Sequence, residues 1–180
     1  MKRKDSSRVL SHHLSGTPKT KREKFRLQPN ENEHLVGVGF RCWMAGYQTG
    51  DINCWESAWN HIAGKVGGGT AKALVSDLSC WVRTIHTKTA CPIEVYPMNC
   101  AGFCRDECMA ISLIAASQND QCPALRACAF ALLDSNELDD VIDSTGRFAM
   151  TLKHHGRLLS QKAVINTNSF MGNDSASAMH

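Results

Sequence analysis

The run Cys100-Ala-Gly-Phe-Cys104-Arg-Asp-Glu-Cys108 sets three thiols at four-residue spacing, with a guanidinium and two carboxylates in the last interval. Thiolates ligate zinc and iron and attack disulfides, so no other stretch of the chain is as well equipped for chemistry. On a continuous helix four residues advance about 6 Å and drift about 40° around the axis, which turns Cys104 and Cys108 to one face. Cys100 on the same helix would stand about 12 Å from Cys108, too far for sulfurs that must each lie about 2.3 Å from one zinc ion. A break at Gly102 would fold Cys100 back over the helix start, where the amide dipole favours thiolates. Cys91, His86 and Cys122 are candidates for a fourth ligand. The site expected on this reading is Cys100, Cys104, Cys108 and Cys91, holding zinc or iron or sensing redox state.

A second reading fits the same residues. Paired CxxC knuckles are diagnostic of metal because their tight turns converge two sulfurs, whereas Cx3Cx3C on a helix also describes a seam of small buried side chains. It also differs from the CxxxCxxC of radical enzymes. Asp106 and Glu107 suit the first turn of a helix, where the dipole favours carboxylates, and Arg105 can pair with either. Cys42, Cys54, Cys80 and Cys128 lie in or beside apolar stripes and read as core filler.

Other candidates are weaker. Residues 63–72, AGKVGGGTAK, resemble a phosphate loop, but the glycines follow Lys65 and a helix precedes them, which fits an interhelical turn. Trp55 and Trp59 are one helical turn apart in an apolar stripe and read as core rather than as a base-stacking platform, while Trp43 can reach the surface. His61 and His86 have no second imidazole or carboxylate at ligand spacing along the sequence, and His154 and His155 suit a helix C-terminus. No G-x-S-x-G or H-E-x-x-H is present, so nothing in the sequence positions a nucleophile against a base.

Residues 1–33 carry nine Lys and Arg against four Asp and Glu, and the remainder eleven against thirteen. Attraction to phosphate is thus confined to the amino-terminal segment, where Lys19, Lys21, Arg22, Lys24 and Arg26 form a candidate arm for salt-sensitive binding to DNA or RNA. That segment and residues 161–180 are polar and poor in apolar side chains, so both are expected to be disordered tails flanking a domain over 34–160. No apolar run approaches the ~20 residues that span a bilayer, and the amino terminus lacks the apolar stretch of a secretory signal, so the expected compartment is the cytoplasm, where thiols stay reduced.

Between residues 33 and 159 the apolar spacing is helical. Leu35, Val38 and Cys42 predict a first helix ending near Gly46 or Gly50. Asp51 caps a second with the stripe Trp55, Ala58, Trp59, Ile62 and Val66, stopped by Gly67, Gly68 and Gly69. Thr70 opens a third with Leu74, Leu78, Trp81, Val82 and Ile85. Pro92 and Pro97 enforce an irregular crossing. A fourth helix over about 103–118 is apolar on nearly every side and should be central. Pro123 starts a fifth, and Ser135 or Asn136 caps a sixth that Gly156 ends. Residues 93–96 are too short and too proline-flanked to build a sheet. The fold class expected is all-α, a single bundle of five to six antiparallel helices.

Phe40-Arg41-Cys42-Trp43-Met44, then Cys100, then Cys104-Arg105-Asp106-Glu107, then Ala115-Ala116-Ser117-Gln118 follow one another within residues 40–152. In that order they resemble an uncharacterised family of small all-helical alphaproteobacterial proteins. The resemblance implies a single helical domain with a cysteine-bearing helix start after a proline-containing loop, and implies no activity. The functional expectation is a non-enzymatic regulator or adaptor of the cytoplasm that meets a protein partner through residues 91–108. A thiol-based metal or redox sensor and a nucleic-acid accessory factor are the alternatives.

Overall fold

Asn30 fixes where the first helix begins. Its side chain accepts from the N–H groups of Asn32 and Glu33 while the Glu33 carboxylate accepts from the Asn30 N–H, a reciprocal cap that satisfies donors the helix itself cannot. The computed structural model describes residues 29–165, and among them the fold is an all-α bundle of six helices. These are α1 (Glu31–Thr49), α2 (Ile52–Val66), α3 (Gly68–Lys88), α4 (Arg105–Gln118), α5 (Cys122–Leu133) and α6 (Asp139–His154), followed by a 3-10 turn at Gln161–Ala163. Residues 93–96 form no strand. No helix among the described residues is long and apolar enough to cross a membrane.

Punctuation residues act largely as the sequence predicts. Gly50 and Gly156 end helices at positive φ, which glycine adopts without a Cβ penalty, and the Asp51 carboxylate caps α2. Three boundaries differ. Only Gly67 lies outside a helix; Gly68 and Gly69 form the first turn of α3, so Thr70 is not its cap. Helix α4 opens at Arg105 with Cys104 as its N-cap. Helix α6 opens at Asp139, after Leu138, rather than behind Ser135 or Asn136.

Helix α4 is the centre. Every residue from position 107 to 116 is buried, with α1, α5, α6 and the 3-10 turn packed around it. The carboxyl-terminal turn is held by Ser112, whose Oγ lies 2.7 Å from the Ala163 carbonyl oxygen and accepts from the Ile165 N–H at 3.2 Å. A second knot joins α1, α3 and α6: Trp81 stands between Phe40 and Phe148, with ring centroids 5.5 and 5.4 Å away, and its indole N–H donates to Thr145 Oγ1 at 2.9 Å. Buried Trp indoles need such a partner.

Helices α1 and α2 meet so closely that a Cβ at Gly46 would overlap the Trp55 indole, whereas one at Gly64 would meet open space. Overpacking costs ~1–3 kcal/mol, more than the ~1 kcal/mol that alanine gains over glycine inside a helix. Gly46→Ala should therefore lower the free energy of unfolding by about 1–2 kcal/mol and Gly64→Ala raise it by about 0.5–1 kcal/mol, as read from urea titrations.

Candidate functional site

The crossing over residues 89–104 joins α3 to α4 without regular structure, so its backbone groups need partners outside it. Gln48 Nε2 donates to the Ile93 carbonyl at 2.7 Å, and the Ala90 N–H to the Leu133 carbonyl at 2.8 Å. The Glu94 N–H donates to Asp106 at 2.9 Å. The centre of the arrangement is an ion pair the sequence reading did not anticipate. Arg41 of α1 meets Glu107 of α4 through two parallel bonds, Nε to Oε1 at 2.6 Å and Nη2 to Oε2 at 3.1 Å, with Arg41 1% and Glu107 0% exposed.

Both charges have further partners. Arg41 also donates to the carbonyls of Cys100, at 2.8 Å, and Gly102, while Phe103 lays its ring 5.1 Å from the guanidinium carbon. Glu107 also accepts from the N–H groups of Tyr96 at 3.1 Å and Cys104 at 2.8 Å. Burial alone would lower the Arg41 pKa, and the hydrogen bond and charge of Glu107 outweigh it and hold it above the ordinary value. Arg105, expected to pair with Asp106 or Glu107, pairs with Asp106 at 3.2 Å.

The four thiols of the expected metal site do not converge. Cys104 is buried at the start of α4 with Sγ 3.0 Å from the Glu94 carbonyl, and Cys108 is sealed one turn further on. Burial, with the nearby Glu107 charge opposing a thiolate, pushes both up to about 12. Cys100 is exposed, and what folds onto the helix start is its carbonyl oxygen, drawn by Arg41. Cys91 is exposed, and its thiol donates to Asp134 at 3.4 Å, which raises its pKa. Of the other ligand candidates, His86 stacks on Tyr47 with ring centroids 5.3 Å apart and Cys122 is exposed at the first position of α5. Among the described residues no group of three or more His, Cys, Asp or Glu is arranged to hold a metal ion, zinc and iron included. Lys19, Lys21, Arg22, Lys24 and Arg26 lie outside the described residues.

Helix α2 supplies a different surface. It sends only Ala58 and Ile62 into the core. Trp59, expected inside, is 38% exposed, and Ile52, two turns before it on the same face, is 70% exposed. Trp55 between them is half-buried, its N–H directed to the Trp43 carbonyl at 3.3 Å and its ring 5.8 Å from Tyr47. Met98 of the crossing is 42% exposed and rests its sulfur 3.4 Å from the buried Cys42 thiol. Of the cysteines read as core filler, Cys42 and Cys128 are buried, Cys54 half-buried and Cys80 exposed.

No protein-family model, curated protein or solved structure matches this chain.

Removing one partner of a buried ion pair strands the other, at a cost of ~3–5 kcal/mol, whereas replacing both with apolar groups is far milder. Glu107→Leu should therefore lower unfolding free energy by about 3–5 kcal/mol, and Arg41→Met added to it should recover more than half of that loss in a double-mutant cycle.

Thiol accessibility gives a second check. Cys80, Cys91, Cys100 and Cys122 should be labelled by an aromatic disulfide at mild alkaline pH, while Cys42, Cys104, Cys108 and Cys128, which burial holds protonated, should label only on unfolding, as mapped by mass spectrometry.

Proposed function

We propose that this chain is a non-catalytic cytoplasmic adaptor or regulator that meets a protein partner through the outward face of α2, with Met98 of the crossing extending the contact. One observation carries the reading: α2 turns Ile52 and Trp59 to solvent on one face while giving the core only Ala58 and Ile62. Exposed apolar side chains in register on a helix favour association, and Trp is among the residues that anchor interfaces most strongly. The groups with chemical potential point the same way by being engaged elsewhere. Arg41 and Glu107 spend their hydrogen bonds on the crossing, and Cys104 and Cys108 are held as thiols. Nine cysteines, all free, fit a reducing compartment.

The test is a photo-reactive phenylalanine placed at position 59 and, as a control, at the exposed Arg147 of α6. A discrete protein adduct formed in cells from position 59 and not from 147, with the purified adduct partner binding Ile52→Lys about tenfold more weakly than the parent, supports the reading. Unaltered affinity of Ile52→Lys and Trp59→Gln for that partner, or adducts from both positions alike, overturns it. Unchanged urea midpoints in both variants exclude a folding artefact.

A further inference from the structure

The amino-terminal half of α1 and the carboxyl-terminal half of α2 bring together two imidazoles that are 27 positions apart in the sequence. The rings of His34 and His61 lie 5.6 Å apart, tilted by 50°, and the other neighbour of His34 is the Phe103 ring at 5.8 Å. That is the ring that shields Arg41. His61 Nε2 is buried and has no hydrogen-bond partner among the described residues. Such an atom is tolerable as a bare lone pair and costly as a buried N–H on a cation.

The surrounding charge is unfavourable to protons. Lys65 of α2 acts on both rings and Arg41 of α1 on His34. The carboxylates paired with these cations or next to His34 in the chain are engaged: Glu31 with Lys65 at 3.4 Å, Glu107 with Arg41, and Glu33 with the Asn30 and Ser160 N–H groups. We propose that His34 and His61 form an acid-sensitive clasp: neutral, they let the α1–α2 hairpin close beside Phe103; protonated, they push that end of the hairpin open and unseat the crossing. The only chemical step is proton transfer from hydronium to a ring nitrogen, which breaks an O–H bond, forms an N–H bond and releases water.

Both rings are held below the ordinary histidine pKa, His34 by burial and then by Lys65 and Arg41, His61 by burial and then by His34 and Lys65. A histidine depressed in the folded state leaves stability fully present above the unfolded value of about 6.5 and removes it as pH falls through that value, because the unfolded chain takes up the protons more readily. The clasp is thus closed at neutral pH and weakens with acid.

The experiment uses the full chain and two readouts. The urea midpoint should fall between about pH 7.5 and about pH 5.5, and His61→Phe, which fills the same space and takes no proton, should abolish at least half of that fall. Native-state labelling with 4,4′-dithiodipyridine, which reacts in acid, should separate local opening from global unfolding. The ratio of the Cys104 labelling rate to that of Cys128 in α5 should rise about tenfold over the same interval if the crossing is released first. An unchanged ratio, an undiminished fall in His61→Phe, or an NMR titration placing both rings at or above the ordinary histidine value overturns the clasp. The labelling ratio and the titration are read on the natural sequence, so they decide the matter even if His61→Phe does not fold.

Discussion

Glu107 enters the most deeply buried helix of the chain carrying a charge that burial would make untenable alone. Its two oxygens receive four donors, two from Arg41 and one each from the Tyr96 and Cys104 backbone. A carboxylate and a guanidinium withdrawn from water lose several kcal/mol each, and only close geometry with further hydrogen bonds offsets that loss. The constraint is therefore strict in three directions at once. Arg41 has to come from α1, the carbonyls of Cys100 and Gly102 have to turn inward to take two more of its N–H groups, and α4 has to begin where Cys104 can donate to Glu107. Gly37 follows from this, since a Cβ there would lie 2.5 Å from the Phe103 ring that covers the pair.

The same pair explains why the two buried thiols of this segment stay protonated. A thiolate at Cys104 or Cys108 would be desolvated and would face the Glu107 charge, so the environment that supports the carboxylate keeps both sulfurs protonated. Cys104 is used instead as a helix cap whose thiol reaches the Glu94 carbonyl. The sulfurs left accessible, Cys91 and Cys100, stand on the outside of the crossing, where Asp134 takes up the first. Of these thiols, Cys104 and Cys108 are thus built into the folded crossing and helix, and Cys91 and Cys100 stand outside them.

The helices were legible because each rests on local physics. Leu74, Leu78, Trp81, Val82 and Ile85 recur at helical spacing and all are buried, and the unbroken apolar run after Cys108 marks the helix that is covered on every side. What escaped the sequence is what depends on distant segments. Glu107 has a nearer candidate in Arg105, and nothing in local spacing favours a guanidinium 66 residues away. One signal was present: Arg41 sits inside the apolar stripe of α1, an expensive place for an unpartnered charge. Trp59 was misread because its stripe is wider than the face α2 buries. Cys80 was misread by residue type, since it precedes Trp81 but lies off the face that carries Leu74, Leu78 and Trp81. His34 and His61 become a pair only through the antiparallel crossing of two helices.

These interactions divide the molecule unevenly. Helices α1, α3, α4, α5 and α6 share the continuous core, with the Trp81 knot and the Ser112 anchor inside it. Helix α2 contributes two buried side chains and is held chiefly against α1, where the Gly46 and Trp55 contact leaves no slack. An element with few buried apolar contacts opens at lower free energy than the core it leans on. The exposed Ile52 and Trp59, the unpartnered His61 and the Phe103 cover of the ion pair all lie on or against this weaker side. A partner that docked on α2 would therefore act on the element most easily displaced, and would reach the crossing through α1 and Phe103.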